Sequence, residues 1–419
     1  MKRKFSPGRK WTLFGLSWAL IITMCRAVRW PNDWAEAQWL INYDYGLIKR
    51  ALLGAVFEPL IMVGAGQSTE TVIRLISTAF MGGFYAVLLW MIIRILRKSN
   101  FNLNSILAVF AFLTSSYVVM SAHLIGYFDN VLVLLTVLAC ILVLKGKSWV
   151  AAAVLSVGVM IHETIFLVGL PSVLFLAFLV KTRELKDAAY SGPLYRPLTR
   201  APAPFILPLF IFVFLFIYQN LCLESESIRS QLTMHLSQFE FIGPVYRTLV
   251  PGDLTNPFTE YFNDGAPKFL SRVFDLGHVL RILPTLAVLL ILAGKTLRRM
   301  KYFGKLFPAL VSISLLPLML HLIAADTSRI WTYPLIVAIV ALWGLYETIP
   351  EGEIVRLESS LFGICCLMII MANIFSMTPL MDELVDRYNF KIRLIYYLPM
   401  LAVIAAVFSR NTGVTANRS

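Results

Sequence analysis

Residues 203–222 read APFILPLFIFVFLFIYQNLC, twenty positions without a charged side chain. A helix rises about 1.5 Å per residue, so such a stretch reaches across about 30 Å of hydrocarbon. Its backbone amides find no water there and must bond one another, as they do in a helix. Comparable stretches lie on both sides of it. They predict spans at 11–29, 74–96, 104–123, 130–145, 148–161, 164–180, 279–295, 306–324, 330–347, 360–379 and 394–409, twelve in all with 203–222. The expected fold is all-α: residues 1–419 form a single transmembrane domain, a polytopic helical bundle.

Composition agrees. Apolar residues make up 58% of the chain and charged residues 15%, with a mean hydropathy of +0.74. Soluble domains carry about 45–50% and about 25%. The net charge of +13 does not point to nucleic acid, because its distribution follows the spans. With the N-terminus placed in the cytoplasm, the cytoplasmic segments hold 23 of 37 Lys/Arg and 6 of 24 Asp/Glu. The external segments hold the other 14 and 18, so the two sides carry +17 and −4. This is the positive-inside bias of an integral membrane protein, and it predicts that both termini are cytoplasmic. The basic clusters 181–200 and 295–305 are expected against anionic headgroups. The apolar run near the N-terminus lacks an A-x-A-like cleavage site and is followed by Arg26 and Arg29, so it reads as a retained helix. Cys25, Cys140, Cys365 and Cys366 fall in or near spans, and Cys222 has no evident external partner; no disulfide is expected.

Two external connections are long. The first, 30–73, opens with WPNDWAEAQWLINYDYGLIKR. Trp34, Ala37, Leu40 and Ile41 share helical spacing while Asp33 and Glu36 take another face, which predicts an interfacial helix with a wet acidic side. The following ALLGAVFEPLIMVG (51–64) is too short to span and reads as interfacial or re-entrant. The second long connection, 222–277, is polar and turn-rich and is expected in water or over the bundle mouth. The halves on either side of 181–201 show no repeat.

Several charged residues break or border apolar runs on the external side. Asp33 and Glu36 suit a general base toward a hydroxyl, or a divalent metal such as Mg or Mn; the plainer reading is a solvated helix face. Asp44 is expected beside Lys49 and Arg50, two cations able to grip a diphosphate or simply to anchor at headgroup level. Asp129, in GYFDN, is either a substrate contact or the N-cap of the next helix. His162 and Glu163 interrupt MIHETIFLVGLP, where polar groups are kept for pairing or for function. They are not part of an H-E-x-x-H metal motif, since Ile165 and Phe166 follow. Asp326 and Arg329 are spaced to pair within one helix, with Arg329 either on a phosphate or satisfied by that pair. His321 reads as a packing residue.

The dozen spans, the acidic first external loop and the long later one resemble the C-type membrane glycosyltransferases. The pieces NYDYGLIKRALLG, GYFDN, IHE and DTSR are similar to those of uncharacterised polysaccharide-locus membrane proteins. The resemblance implies a transferase of the bacterial inner membrane working on its external face. The donor would be a polyprenyl-phosphate- or diphosphate-linked sugar, the acceptor a glycan, lipid or protein. It also implies an acidic base in the first external loop, Asp33 or Glu36, although the family's adjacent acidic doublet is D-x-x-E here. O-antigen polymerases are a second resemblance. Their R-x10-G pattern is missing, because Glu240, Phe258 and Leu283 stand eleven positions after Arg229, Arg247 and Arg272. A transporter or lipid-linked sugar flippase is a third class. It would place its polar groups near the bilayer midplane rather than at one rim.

Overall fold

The computed structural model describes residues 7–63, 67–187, 201–221, 223–298, 303–350, 354, 359–381 and 384–416. Expectations for residues 2–4, for 188–200 and 299–302 in the basic clusters, and for Cys222 fall outside these. The described residues are helical apart from turns, loops and an isolated bridge between Pro379 and Val385. Eight helices are long and apolar enough to cross a membrane, and four shorter apolar ones accompany them, as is compatible with an integral membrane protein.

In chain order, α1 is Pro7–Cys25, α2 Asp33–Trp39, α3 Leu52–Val63 and α4 Gln67–Lys98. The span expected at 104–123 is two helices, α5 (Leu103–Leu113) and α6 (Ser116–His123). At the break the Thr114 hydroxyl donates to Phe110 O (2.9 Å) and Ala111 O (3.2 Å), and Ser115 N turns to Phe112 O instead of continuing the ladder to Ala111 O. Then follow α7 (Asp129–Leu144), α8 (Ser148–Ile161), α9 (Ile165–Asp187) and α10 (Ile206–Leu221). The segment expected as a turn-rich loop is instead four helices: α11 (Ser225–Leu236), α12 (Pro244–Thr255), α13 (Phe258–Gly265) and α14 (Phe269–Val273). Two of its prolines fall where helices tolerate them, Pro244 opening α12 and Pro257 preceding α13, while Pro251 lies inside α12. The chain closes with α15 (Leu276–Leu297), α16 (Phe303–Leu315) continued by a 3-10 turn (Leu316–Leu322), α17 (Thr327–Thr348), α18 (Ser360–Phe375) and α19 (Phe390–Ala416).

Helix α17 is the axis of the bundle. Its apolar window is 94% buried inside the protein, against 22% for the 203–221 helix at the periphery. It packs on α4, α6, α9, α15 and α16. Side chains then tie the connections together at one end. Asn32 Nδ2 donates to the Tyr127 hydroxyl (3.1 Å), and Trp39 Nε1 to Gly126 O (2.8 Å). Arg50 reaches Glu163, Lys49 reaches Asn256 O, and Arg272 reaches Ala324 O. At the same end Arg26 meets Asp386 at 2.6 Å, and Arg387 N donates to Arg26 O. Arg393 stands 3.5 Å from the same carboxylate, and all three side chains are buried. At the opposite end, Arg94 holds Glu347 with two bonds of 2.6 Å.

Candidate functional site

The tied end encloses a cavity of about 450 Å³. Most contributors to its wall sit near helix ends or in the connections between helices, where backbone direction changes. Gly126, before α7, has φ +86°, and a Cβ there would lie 2.8 Å from Pro31 Cβ. Gly265 ends α13, and a Cβ there would lie 2.2 Å from Leu322 O, so only glycine lets α13 close over the 3-10 turn.

Of the expected residues, Lys49, Arg50, His162, Glu163, Asp326 and Arg329 line this cavity. Arg50, itself at φ +65°, is an ion-pair hub. Its Nη2 donates to Glu163 Oε1 (2.5 Å) and its Nη1 to Asp253 Oδ2 (2.6 Å). Burial pushes the Asp253 carboxyl up, but the Arg50 and Lys49 charges outweigh it and hold the group below its usual range. Arg329 is the second hub. It pairs with Asp326 at 3.0 Å, as its spacing predicts, and with Asp129 at 3.8 Å. Asp129 accepts the Tyr333 hydroxyl, and no side-chain bond caps α7, so the expected capping role is not the one its carboxylate takes. Each hub arginine thus already faces two carboxylates.

Other cations are differently placed. The Lys49 ammonium donates to Asn256 O (3.0 Å) and lies over the Phe258 and Tyr261 rings, 4.9 and 4.3 Å from their centroids. Burial lowers its pKa to about 8, with Asp253 and Glu163 working against that fall. Arg272 donates to two backbone carbonyls, His321 O and Ala324 O. Among the described residues, Lys49, Lys268 and Arg272 line the cavity without a carboxylate within ion-pair distance. Asp264 on the same wall likewise has no partner there. Trp34, Gln38 and Tyr127 complete a neutral part of the lining.

Three expectations are corrected. Asp33 does not line the cavity: its Oδ2 accepts Gly243 N at 2.7 Å and fastens α2 to the start of α12. Glu36 does not either. It is buried rather than on a wet face and pairs with Arg74 Nε at 2.7 Å, because the α2 face that carries it turns to α4. Burial raises the Glu36 carboxyl, with Arg74 opposing. Asp44 accepts Asn42 Nδ2 (2.9 Å) in a 3-10 turn and pairs with neither Lys49 nor Arg50. Asp253, Asp264, Lys268 and Arg272 escaped the sequence reading. Their one signal was charge in an otherwise polar connection, where charge is ordinary. Among the described residues no group of three or more His, Cys, Asp or Glu is placed to hold a metal ion. No family model, curated protein or solved structure matches the chain.

Proposed function

We propose that this protein is an integral membrane glycosyltransferase, akin to the C-type enzymes, which moves a sugar from a lipid-(di)phosphate donor to an acceptor on the external face. The observation that carries the reading is the cavity at one end of the bundle, with three cations left unbalanced by direct carboxylate contact. In this reading α1, α7, α8 and α18 cross in addition to the eight long apolar spans, giving twelve crossings with both termini cytoplasmic and the cavity external. Helix α3 lies in the interface. A cavity built from helix ends favours an enzyme at the membrane surface over a transporter with a midplane site.

Lys49, Lys268 and Arg272 take the donor phosphate, each charge-assisted bond contributing about 1.5–3 kcal/mol. Arg50 and Arg329, engaged with carboxylates, shape the site rather than grip the lipid. Asp264 is the base toward the acceptor hydroxyl, in place of Asp33 or Glu36. Trp34 and Tyr127 offer flat apolar faces to a sugar ring. Phosphate charge rests on protein cations, and a divalent ion such as Mg or Mn is not assigned a residue. Holding donor and acceptor together in a water-poor cavity lowers the barrier by orientation and electrostatics.

The test is binding of a polyprenyl phosphate to protein in nanodiscs, followed by transfer from polyprenyl-phosphate hexoses. Lys268→Gln/Arg272→Gln should weaken binding about 100-fold or more, from two lost contacts of that size. Asp264→Asn should spare binding and lower turnover. Wild-type affinity in the double variant would retire the phosphate site.

A further inference from the structure

Outside the cavity, the starts of α15 and α17 carry a second constellation. Asp275 precedes α15, His278 lies in its first turn, and Ser328 lies in the first turn of α17. His278 Nδ1 is 2.7 Å from Asp275 Oδ1, and His278 Nε2 is 3.0 Å from Ser328 Oγ. An ionised carboxylate only accepts, which assigns the imidazole proton to Nδ1; Nε2 is then the acceptor of the Ser328 hydroxyl proton. The same Asp275 oxygen accepts the His278 backbone N–H at 2.9 Å, which fixes the ring's orienting partner. Nearby, Trp331 Nε1 donates to Arg272 O at 3.0 Å and ties α17 to α14, which directly precedes α15.

We infer that Ser328, His278 and Asp275 form a nucleophile–base–orienter relay acting on a carboxylic ester of a membrane lipid. The order of donors, and distances within hydrogen-bond reach at both links, are what an activated serine requires. The relay is reachable: Ser328 is partly exposed and the Asp275 side chain is 46% exposed. Phe274, Leu276 and Leu280 stand exposed beside it, an apolar border suited to acyl chains rather than to a soluble ester. Asp326 gives α17 no side-chain cap, because its carboxylate is turned to Arg329. First-turn amides of a helix have no intrahelical acceptor, so donors for a developing oxyanion adjoin Ser328.

The step balances without a further reagent. Ser328 Oγ bonds to the ester carbonyl carbon as its proton passes to His278 Nε2. The ester C–O bond then breaks, the departing alkoxide takes that proton as an alcohol, and the acyl group stays on Ser328. Water attacks the acyl carbon by the same route, releasing the carboxylic acid and restoring the hydroxyl. None of the three residues lines the cavity, so the inference stands apart from the glycosyl-transfer reading.

Full-length protein in phosphatidylcholine nanodiscs is treated with a rhodamine fluorophosphonate, and labelled peptides are mapped by mass spectrometry. We expect the phosphonyl adduct on Ser328, none in Ser328→Ala, and labelling slowed at least about tenfold in His278→Gln and in Asp275→Asn. Because wild-type labelling is itself decisive, misfolding of a variant does not shelter the idea. No adduct on Ser328 in the wild type overturns it. So does an adduct that forms equally fast in folded His278→Gln, which would leave only a helix-capping contact.

Discussion

Arg50 and Asp253 are 203 positions apart in the sequence, yet Nη1 of one stands 2.6 Å from Oδ2 of the other. This contact joins the connection between α2 and α3 to α12, and Glu163 completes it from the α8–α9 junction. Removing one member of a fully buried ion pair strands its partner at about 3–5 kcal/mol, and this partly buried network, 10–19% exposed, should lose less. Arg50→Gln strands two carboxylates. It should lower the melting temperature more than Glu163→Gln or Asp253→Asn, each of which leaves Arg50 one partner. Thermal melts in detergent decide this; a wild-type melting temperature for Arg50→Gln would show the hub to be idle.

Arg329 was readable as half of a rim pair worth about 0–1 kcal/mol. Its second partner, Asp129, is buried, which changes the expectation. Arg329→Gln should be destabilising, and adding Asp129→Asn should recover most of the loss by removing the stranded charge. Additive losses in the double variant would mean that the two side chains do not communicate.

Lys49 sets a pH dependence. With its folded pKa near 8, its charge, and any phosphate contact it makes, should fade between pH 7 and 9. Polyprenyl-phosphate affinity should fall over that window in the wild type and stay flat in Lys49→Arg, which remains charged. Stability runs the other way. The folded pKa lies below the unfolded value of 10.5, so between about 8 and 10.5 the unfolded chain binds more protons, and the Lys49 contribution to stability rises with pH. An identical affinity profile in Lys49→Arg would assign the titration elsewhere.

Gly265→Ala places a methyl group within 2.2 Å of Leu322 O, and backbone cannot yield cheaply. Helices α13 and α14 should lift from the 3-10 turn. Limited proteolysis should then cut within 223–275 faster than in the wild type; equal rates would show the close approach to be dispensable.

Topology is open to direct test. In a cysteine-free background, Glu240→Cys, on an exposed stretch between α11 and α12, should react with a membrane-impermeant maleimide in intact cells. Labelling confined to permeabilised cells would invert the bundle and place the cavity on the cytoplasmic side.

The helical class and six of the cavity residues were legible because lipid makes both conspicuous. Apolar runs announce helices, and Arg50, His162, Glu163 or Arg329 at the border of such a run is costly enough to need a reason. Asp33 and Glu36 misled for the converse reason. In a polar connection a carboxylate is cheap, and nothing local distinguishes a base from an anchor. Their partners, Gly243 N and Arg74, lie 210 and 38 positions away. Asp264 and Arg272 were hidden in the same way, and the folding of 223–277 into helices was masked by its prolines and glycines, which read as turns although Pro244 and Pro257 stand at helix starts and Pro251 and Gly252 lie inside α12.

The buried contact of Arg26 with Asp386 bears on how the chain is made. The two are 360 positions apart, one just after the first helix and the other just before the last. At about 5–20 residues per second, synthesis leaves Arg26 waiting about 20–70 s for its carboxylate. Throughout that interval the nascent chain carries an unmatched guanidinium at the end of its first helix. This end of the bundle is therefore fastened only when its final hairpin arrives, and a chain truncated before residue 386 leaves the opening helix packed on α5 and α6 but without α19 and without the carboxylate that Arg26 meets. Loss of the C-terminal tenth should be read out by quality control at the beginning of the chain.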